Sequence, residues 1–154
     1  MSLMFEIPGA RTIELSDLMV DVNGTLTNRG EVIDGVQPRI EKLRSQCSIH
    51  LVSADTFGTL DELATALGVS ATRVSDGHEK RTFVNRCGAS TCGVIGNGLN
   101  DALALRVAAL GVVVLGPEGA SPRSLEAADL VCASIIDALD LLADPRALSA
   151  TIRP

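Results

Sequence analysis

What most constrains this chain is a regular alternation of short apolar runs with segments of helical spacing. LMV (18–20), IHLVS (49–53), GVIG (93–96) and VVVLG (112–116) are apolar runs bounded by turn residues, and ATRVS (71–75) is a shorter strand-like piece. Between them lie segments with the 3.6-residue period. VQPRIEKLRSQ (36–46) puts Val36, Ile40 and Leu43 on one face, LDELATALG stops at Gly68, and EKRTFVNRCG stops at Gly88. DALALRVAALG is expected to run as a helix to Gly111, since glycine is the usual residue after a helix end. SLEAADLVC holds a short helix and a final strand, and SIIDALDLLAD is read as the last helix. At the start, MFEIPGARTIEL has two strand-like pieces around Pro8-Gly9, so residues 1–16 are expected to form a hairpin extension. Strand–helix alternation of this kind implies right-handed crossovers and a mainly parallel, doubly wound α/β sheet covered on both faces, a Rossmann-like core. No linker or repeat divides residues 1–154, which are read as a single domain.

Composition narrows the possibilities further. Apolar residues make up 46% of the chain but aromatics only 2%, with no Trp or Tyr, so the core must be built from Val, Leu, Ile and Ala. Such a core suits helices packed on a parallel sheet. The net charge of -6 argues against a nucleic-acid or anionic-membrane surface. The longest apolar run, Val107 to Gly116, is about half of what a membrane-spanning helix needs. Cys47, Cys87, Cys92 and Cys132 contain no C-x-x-C pair and are read as small reduced core residues rather than metal ligands. The opening MSLMFEIPGA has neither a basic region nor a long apolar segment, so a cytoplasmic location is expected.

In open parallel sheets, ligands bind beyond the carboxyl ends of the strands. The residues at those ends are Asp21-Val22-Asn23-Gly24-Thr25, Ser53 and Gly96-Asn97-Gly98-Leu99-Asn100-Asp101, with Lys80 near the start of a helix. Gly24 permits a tight turn whose successive N–H groups can face an anion. Thr25 and Ser53 offer hydroxyls, and Lys80 offers a mobile positive charge suited to a phosphate oxygen. Asp21 and Asp101 are hard oxygen ligands of the kind Mg²⁺ takes. Magnesium and an anion cradle beside a carboxylate describe transfer of a phosphoryl group to that carboxylate. His50 is read as a core or edge histidine and Pro117-Glu118-Gly119 as an ordinary loop, and Asp55, after Ser53, is not assigned to the site.

The order DVNGTLT, Ser53, Lys80 and GNGLND resembles the four motifs of the haloacid dehalogenase-like superfamily, over residues 17 to 142. LVSADTFGTLDELATALGV, VIGNGLNDALALRVAALGVVV and SLEAADLV are most similar to the phosphorylation domain of P-type ion-pumping ATPases and its small soluble relatives. The resemblance implies that Asp21 becomes phosphorylated and that Ser53 and Lys80 bind the phosphoryl group. It also implies that Asp101 holds Mg²⁺ together with Asp21 and the backbone carbonyl of Asn23.

The chain departs from that pattern in three places. Phosphatases of the superfamily usually carry an acid–base aspartate two residues after the nucleophile, and here that residue is Asn23, which cannot exchange a proton at neutral pH. Asn97 stands where an aspartate is common, so it can ligate Mg²⁺ without adding charge. Thr27 to Val36 leaves room for a short flap only, and Ser53 to Lys80 spans 27 positions, so neither gap holds a cap domain. An uncapped site must take its specificity from a large substrate, a partner protein, or a neighbouring subunit of a homo-oligomer. The sequence thus implies a slow, Mg²⁺-dependent phosphohydrolase acting on a small phosphorylated substrate or a phosphoprotein. The competing reading, which the Asn23 and Asn97 pair supports, is a weakly active or inert domain that binds a phospho-ligand or a protein.

Overall fold

The computed structural model describes residues 1–154. The N-terminal hairpin forms as expected from Pro8-Gly9: β1 (Leu3–Glu6) pairs antiparallel with β2 (Thr12–Leu15), Leu3 opposite Leu15. Burial alternates along both strands, so that Phe5 and Leu15 are sealed into the core of the domain. β3 (Asp17–Val20) follows, with Asp21 directly after its last residue. A small flap, β4 (Thr27–Asn28) with β5 (Glu31–Val32), precedes α1 (Val36–Leu43). The chain then alternates through β6 (Ser48–Ser53), α2 (Leu60–Leu67), β7 (Ser70–Arg73), α3 (Gly77–Cys87), β8 (Cys92–Gly96), α4 (Ala102–Val107), β9 (Leu110–Val114), α5 (Pro122–Ala127), β10 (Leu130–Cys132), α6 (Ile135–Leu142) and α7 (Pro145–Ile152).

The six central strands stand in the order β10-β9-β8-β3-β6-β7, and every neighbouring pair is parallel. The path runs outward from β3 through β6 to β7, then returns to β8 on the other side of β3. That reversal creates a crevice between β3 and β8 at their carboxyl ends, where Asp21 and Asn97 emerge.

Alternation within β3 shows how the two faces are filled. Leu18 and Val20 point into a core of 30 residues beneath α1, α2, α6, α7 and the hairpin, whereas Met19 points into a smaller one of 9 beneath α3 and α4. The aliphatic composition is used as predicted, and Phe5 is the one aromatic ring among the fully buried side chains.

Helix ends follow local chemistry. Gly68 closes α2 at φ 68°, the left-handed conformation that glycine adopts without strain. The side chains of Asp76 and Ser134 accept the Glu79 and Asp137 N–H groups at the starts of α3 and α6. Two expectations need correction. The helix after Asp101 ends at Val107 rather than at Gly111, which lies inside β9. A side chain at Gly111 would meet the Leu105 carbonyl at 2.9 Å, so glycine there allows helix and strand to pack closely. A further helix, α7, follows α6: Asp144 caps it through the Ala147 N–H, with Pro145 in its first turn, and it packs on β1.

Candidate active site

Asp21 is still held in the sheet by its backbone, since its N–H donates to Ile95 O at 2.9 Å. The chain then turns through Gly24 at φ 76°. The Val22 carbonyl accepts from the N–H groups of Thr25, Leu26 and Thr27, and the Gly24 N–H donates to Thr27 O. The amides of Gly24 and Thr25 are therefore used within the turn. Those left without a backbone partner are Val22 and Asn23, one step earlier than an anion cradle starting at Gly24 would require. Gly24 is required on two counts: its positive φ, and a neighbouring Asn97 Nδ2 that would lie 2.5 Å from any Cβ placed there.

Three distant segments converge on the Asp21 carboxylate. Lys80, fully buried on α3, places its Nζ 2.8 Å from Asp21 Oδ1 and 2.7 Å from Asp101 Oδ1. Asp101 Oδ2 accepts the N–H groups of Asn97 and Gly98, both at 3.0 Å, which fixes the turn after β8. This carboxylate lies against Gly96, where a Cβ would meet Asp101 Cγ at 2.4 Å. Thr25 Oγ1 lies 3.1 Å from Asp21 Oδ2 and 3.2 Å from Asn97 Oδ1, so its hydroxyl sets the orientation of the carboxylate.

The electrostatics of the cluster are unbalanced. Two carboxylates and one ammonium leave an excess negative charge on three almost fully buried side chains. Burial, reinforced by Asp101, pushes the Asp21 carboxyl up to about 7, although Lys80 and the Thr25 hydrogen bond pull the other way. Burial opposes the charge of Lys80, but Asp21 and Asp101 outweigh it and raise its pKa. The oxygens of Asp21, Asp101 and Asn97 form a hard donor set carrying surplus negative charge, which suits a divalent cation such as Mg²⁺.

The remaining predicted residues lie around this centre. Asn23 is half-buried and its backbone bridges to Thr27. Ser53 ends β6, the strand next to β3, and is buried, with Oγ accepting the Asp55 N–H at 2.9 Å. Asp55 turns away from the cluster: its carboxylate takes Arg73 and the Leu60 N–H, and it adopts φ 57°. The Pro117-Glu118-Gly119 loop is more than a connection. Its Gly119 carbonyl accepts from Asn97 Nδ2 at 3.0 Å, which directs Asn97 Oδ1 toward Thr25, and Glu118 accepts the Arg29 N–H. Gly116 also lies where a Cβ would sit 2.7 Å from Gly24 O. Sequence reasoning missed this loop; the signal was Gly116-x-x-Gly119 after a strand, a spacing that allows close backbone approach.

Over 91% of its length the chain superposes on the cobalt-bound deoxy-D-mannose-octulosonate 8-phosphate phosphatase of Haemophilus influenzae. The TM-score is 0.70, with 18% sequence identity and 94% of that chain covered. The chain has the haloacid dehalogenase-like fold. The same fold relates it to the 3-deoxy-D-manno-octulosonate 8-phosphate phosphatase of Moraxella catarrhalis, solved with magnesium, phosphate and the sugar acid. There the TM-score is 0.66, with 20% identity over 90% of this chain and 94% of that one. By sequence, 59 residues are 49% identical to an uncharacterized protein of Methanocaldococcus jannaschii, a stretch amounting to 38% of this chain and 63% of that protein. The match thus covers less than two thirds of that relative. No family model matches the chain. Within this haloacid dehalogenase-like fold, Asp21, Lys80 and Asp101 meet at the crevice where the strand order reverses. No helix is long and apolar enough to cross a membrane.

Proposed function

We propose that this protein is a phosphohydrolase that uses a divalent cation, with Mg²⁺ the best match to its oxygen donors, and works through an aspartyl-phosphate on Asp21. The observation that carries this reading is the convergence of Asp21, Lys80 and Asp101 into one buried cluster with surplus negative charge. Asp21, Asp101, Asn97 and the Asn23 carbonyl would hold the cation. When bound, it supplies charge neutralisation for the carboxylate and for the phosphoryl oxygens.

The protein's own residues account for the rest. Asp21 Oδ2, held by Thr25, attacks the phosphorus of a phosphate ester or acyl phosphate. The phosphorus–oxygen bond to the leaving group breaks, and its electron pair goes to that oxygen. Lys80, whose charge its two carboxylate neighbours secure, offsets charge on the transferring group, and the Val22 and Asn23 amides and the Ser53 hydroxyl would receive its oxygens. Water then attacks the phosphorus of the aspartyl-phosphate, releasing inorganic phosphate and restoring Asp21. Asn23 cannot protonate the leaving group or deprotonate that water, a loss of about 10²- to 10⁴-fold in rate. Turnover is therefore slow and favours leaving groups that need no proton, such as aryl and acyl phosphates. The short flap leaves the site uncapped, so the physiological substrate is a phosphoprotein or a small phosphorylated molecule held in part by a second protein or subunit.

The Asn23 and Asn97 pair favours one other reading, a binding module without turnover. Phosphate release from p-nitrophenyl phosphate and acetyl phosphate with Mg²⁺ separates the two. The enzyme reading expects slow turnover in wild type, faster turnover in Asn23→Asp and none in Asp21→Asn. Release by wild type and Asn23→Asp that never exceeds the Asp21→Asn background supports the binding module.

A further inference from the structure

Away from the Asp21 crevice, three chemically different ligating groups meet on the α3 face of the sheet. Asp17 begins β3, His50 lies in β6 and Cys87 ends α3. Their ligating atoms all fall within 4.8 Å of one another. Asp17 precedes Asp21 by four residues along the chain, which separates the two places by about 13 Å.

His50 is held through both ring nitrogens. Its Nδ1 lies 2.7 Å from Ser70 Oγ, and that hydroxyl donates to Ile49 O at 3.4 Å. The contact to Ile49 is long, so Ser70 Oγ is free to accept from His50 Nδ1 whenever that nitrogen carries the hydrogen. In that tautomer the Nε2 lone pair faces Asp17 Oδ1 at 2.7 Å, and a metal cation between the two satisfies both. A histidine fixed through Nδ1–H by an oxygen acceptor, with Nε2 turned to a cluster, is the usual arrangement of a metal-bound imidazole. Phe83 packs edge-on against the ring and further restricts it.

We propose that Asp17, His50 and Cys87 form a zinc-type metal site, separate from the Asp21 centre. Its ligands are His50 Nε2, one Asp17 oxygen and the Cys87 thiolate, and water occupies the fourth position. Thiolate with imidazole and carboxylate suits Zn²⁺ and not Mg²⁺. A tetrahedral zinc ion holds its ligand atoms about 3.3–3.8 Å apart, as the bond lengths require. His50 Nε2 and Asp17 Oδ1, now 2.7 Å apart, would open by about half an ångström to take the ion between them. The His50 and Asp17 side chains are 21% and 22% exposed, so the fourth position reaches solvent. Metal binding releases the Cys87 proton to solvent. The bound ion would fasten the end of α3, the helix that carries Lys80, to β3 and β6.

Cobalt(II) reports the site directly, because a thiolate ligand gives a near-ultraviolet charge-transfer band that oxygen ligands at Asp21 cannot give. The full chain is stripped of metal, kept reduced, and titrated with Co²⁺ and then Zn²⁺. The expected result is one equivalent of Co²⁺ with a thiolate band in wild type and in Asp21→Asn, displaced by Zn²⁺. The band should be lost in Cys87→Ser, in His50→Gln and in Asp17→Asn. Ser70→Ala should keep it but weaken Zn²⁺ binding by about 10- to 100-fold. Absence of the band in wild type, or its survival in any of the three ligand variants, would overturn the proposal. Circular dichroism establishes that each variant is folded before its spectrum is compared.

Discussion

If Asp21 carries the surplus charge of a buried site, the stability of the metal-free protein must respond to pH in a particular direction. The Asp21 carboxyl lies at about 7 in the folded protein against an ordinary 3.8, chiefly through burial and then through Asp101. The difference corresponds to on the order of 4 kcal/mol. An acid whose value is raised by folding binds its proton more tightly when folded. Its contribution to stability is therefore fully present below 3.8 and is lost as pH rises through about 7. Asp21→Asn keeps the shape and remains neutral, so the difference between the two proteins isolates this one group. Relative to Asp21→Asn, wild type in EDTA should lose about 2–3 kcal/mol between pH 5 and pH 8. With no Trp or Tyr, the unfolding signal is far-ultraviolet circular dichroism in urea. Millimolar Mg²⁺ should return most of the loss at pH 8 in wild type alone. A difference that stays flat with pH, or a wild type that gains on the variant toward pH 8, would refute the reasoning.

Two other perturbations test the scaffold. Gly24→Ala forces a side chain into φ 76° and against Asn97 Nδ2, and should lower stability by about 1–3 kcal/mol; an unchanged urea midpoint would mean the turn tolerates a Cβ. Phe5→Ala removes a fully buried ring from the N-terminal hairpin and should lower stability by about 3–5 kcal/mol. A loss below 1 kcal/mol would make residues 1–16 an appendage rather than part of the core.

The central residues were readable because parallel sheets put function at strand ends. Asp21 and Asp101 each follow an apolar run closed by a glycine turn, and the structure brings both to Lys80. What escaped the sequence depended on contacts remote along the chain. Gly111 has the form of a helix stop, yet its role is to let Leu105 approach β9. Asp144-Pro145 marks a helix start, but the packing of α7 against β1 that completes it is invisible locally. The Gly116–Gly119 loop matters through its carbonyls and its closeness to Gly24, neither of which side-chain identity reveals. Cysteine spacing gave no sign of the Asp17, His50 and Cys87 cluster, since those residues come from three separate elements. The expected likeness to the phosphorylation domain of the ion pumps rests on motif sequence alone, and solved structures that share the fold include octulosonate 8-phosphate phosphatases.

The most direct test of the account is to look for the phosphorylated aspartate itself. Asn23 removes the acid–base group that would hasten its hydrolysis, so the aspartyl-phosphate should accumulate when the protein meets acetyl phosphate and Mg²⁺. Rapid quenching, borohydride reduction and peptide mass spectrometry would locate it. The account predicts modification at Asp21, dependent on Mg²⁺ and absent from Asp21→Asn. Modification at another residue, or none at Asp21 under conditions where wild type releases phosphate, would contradict it.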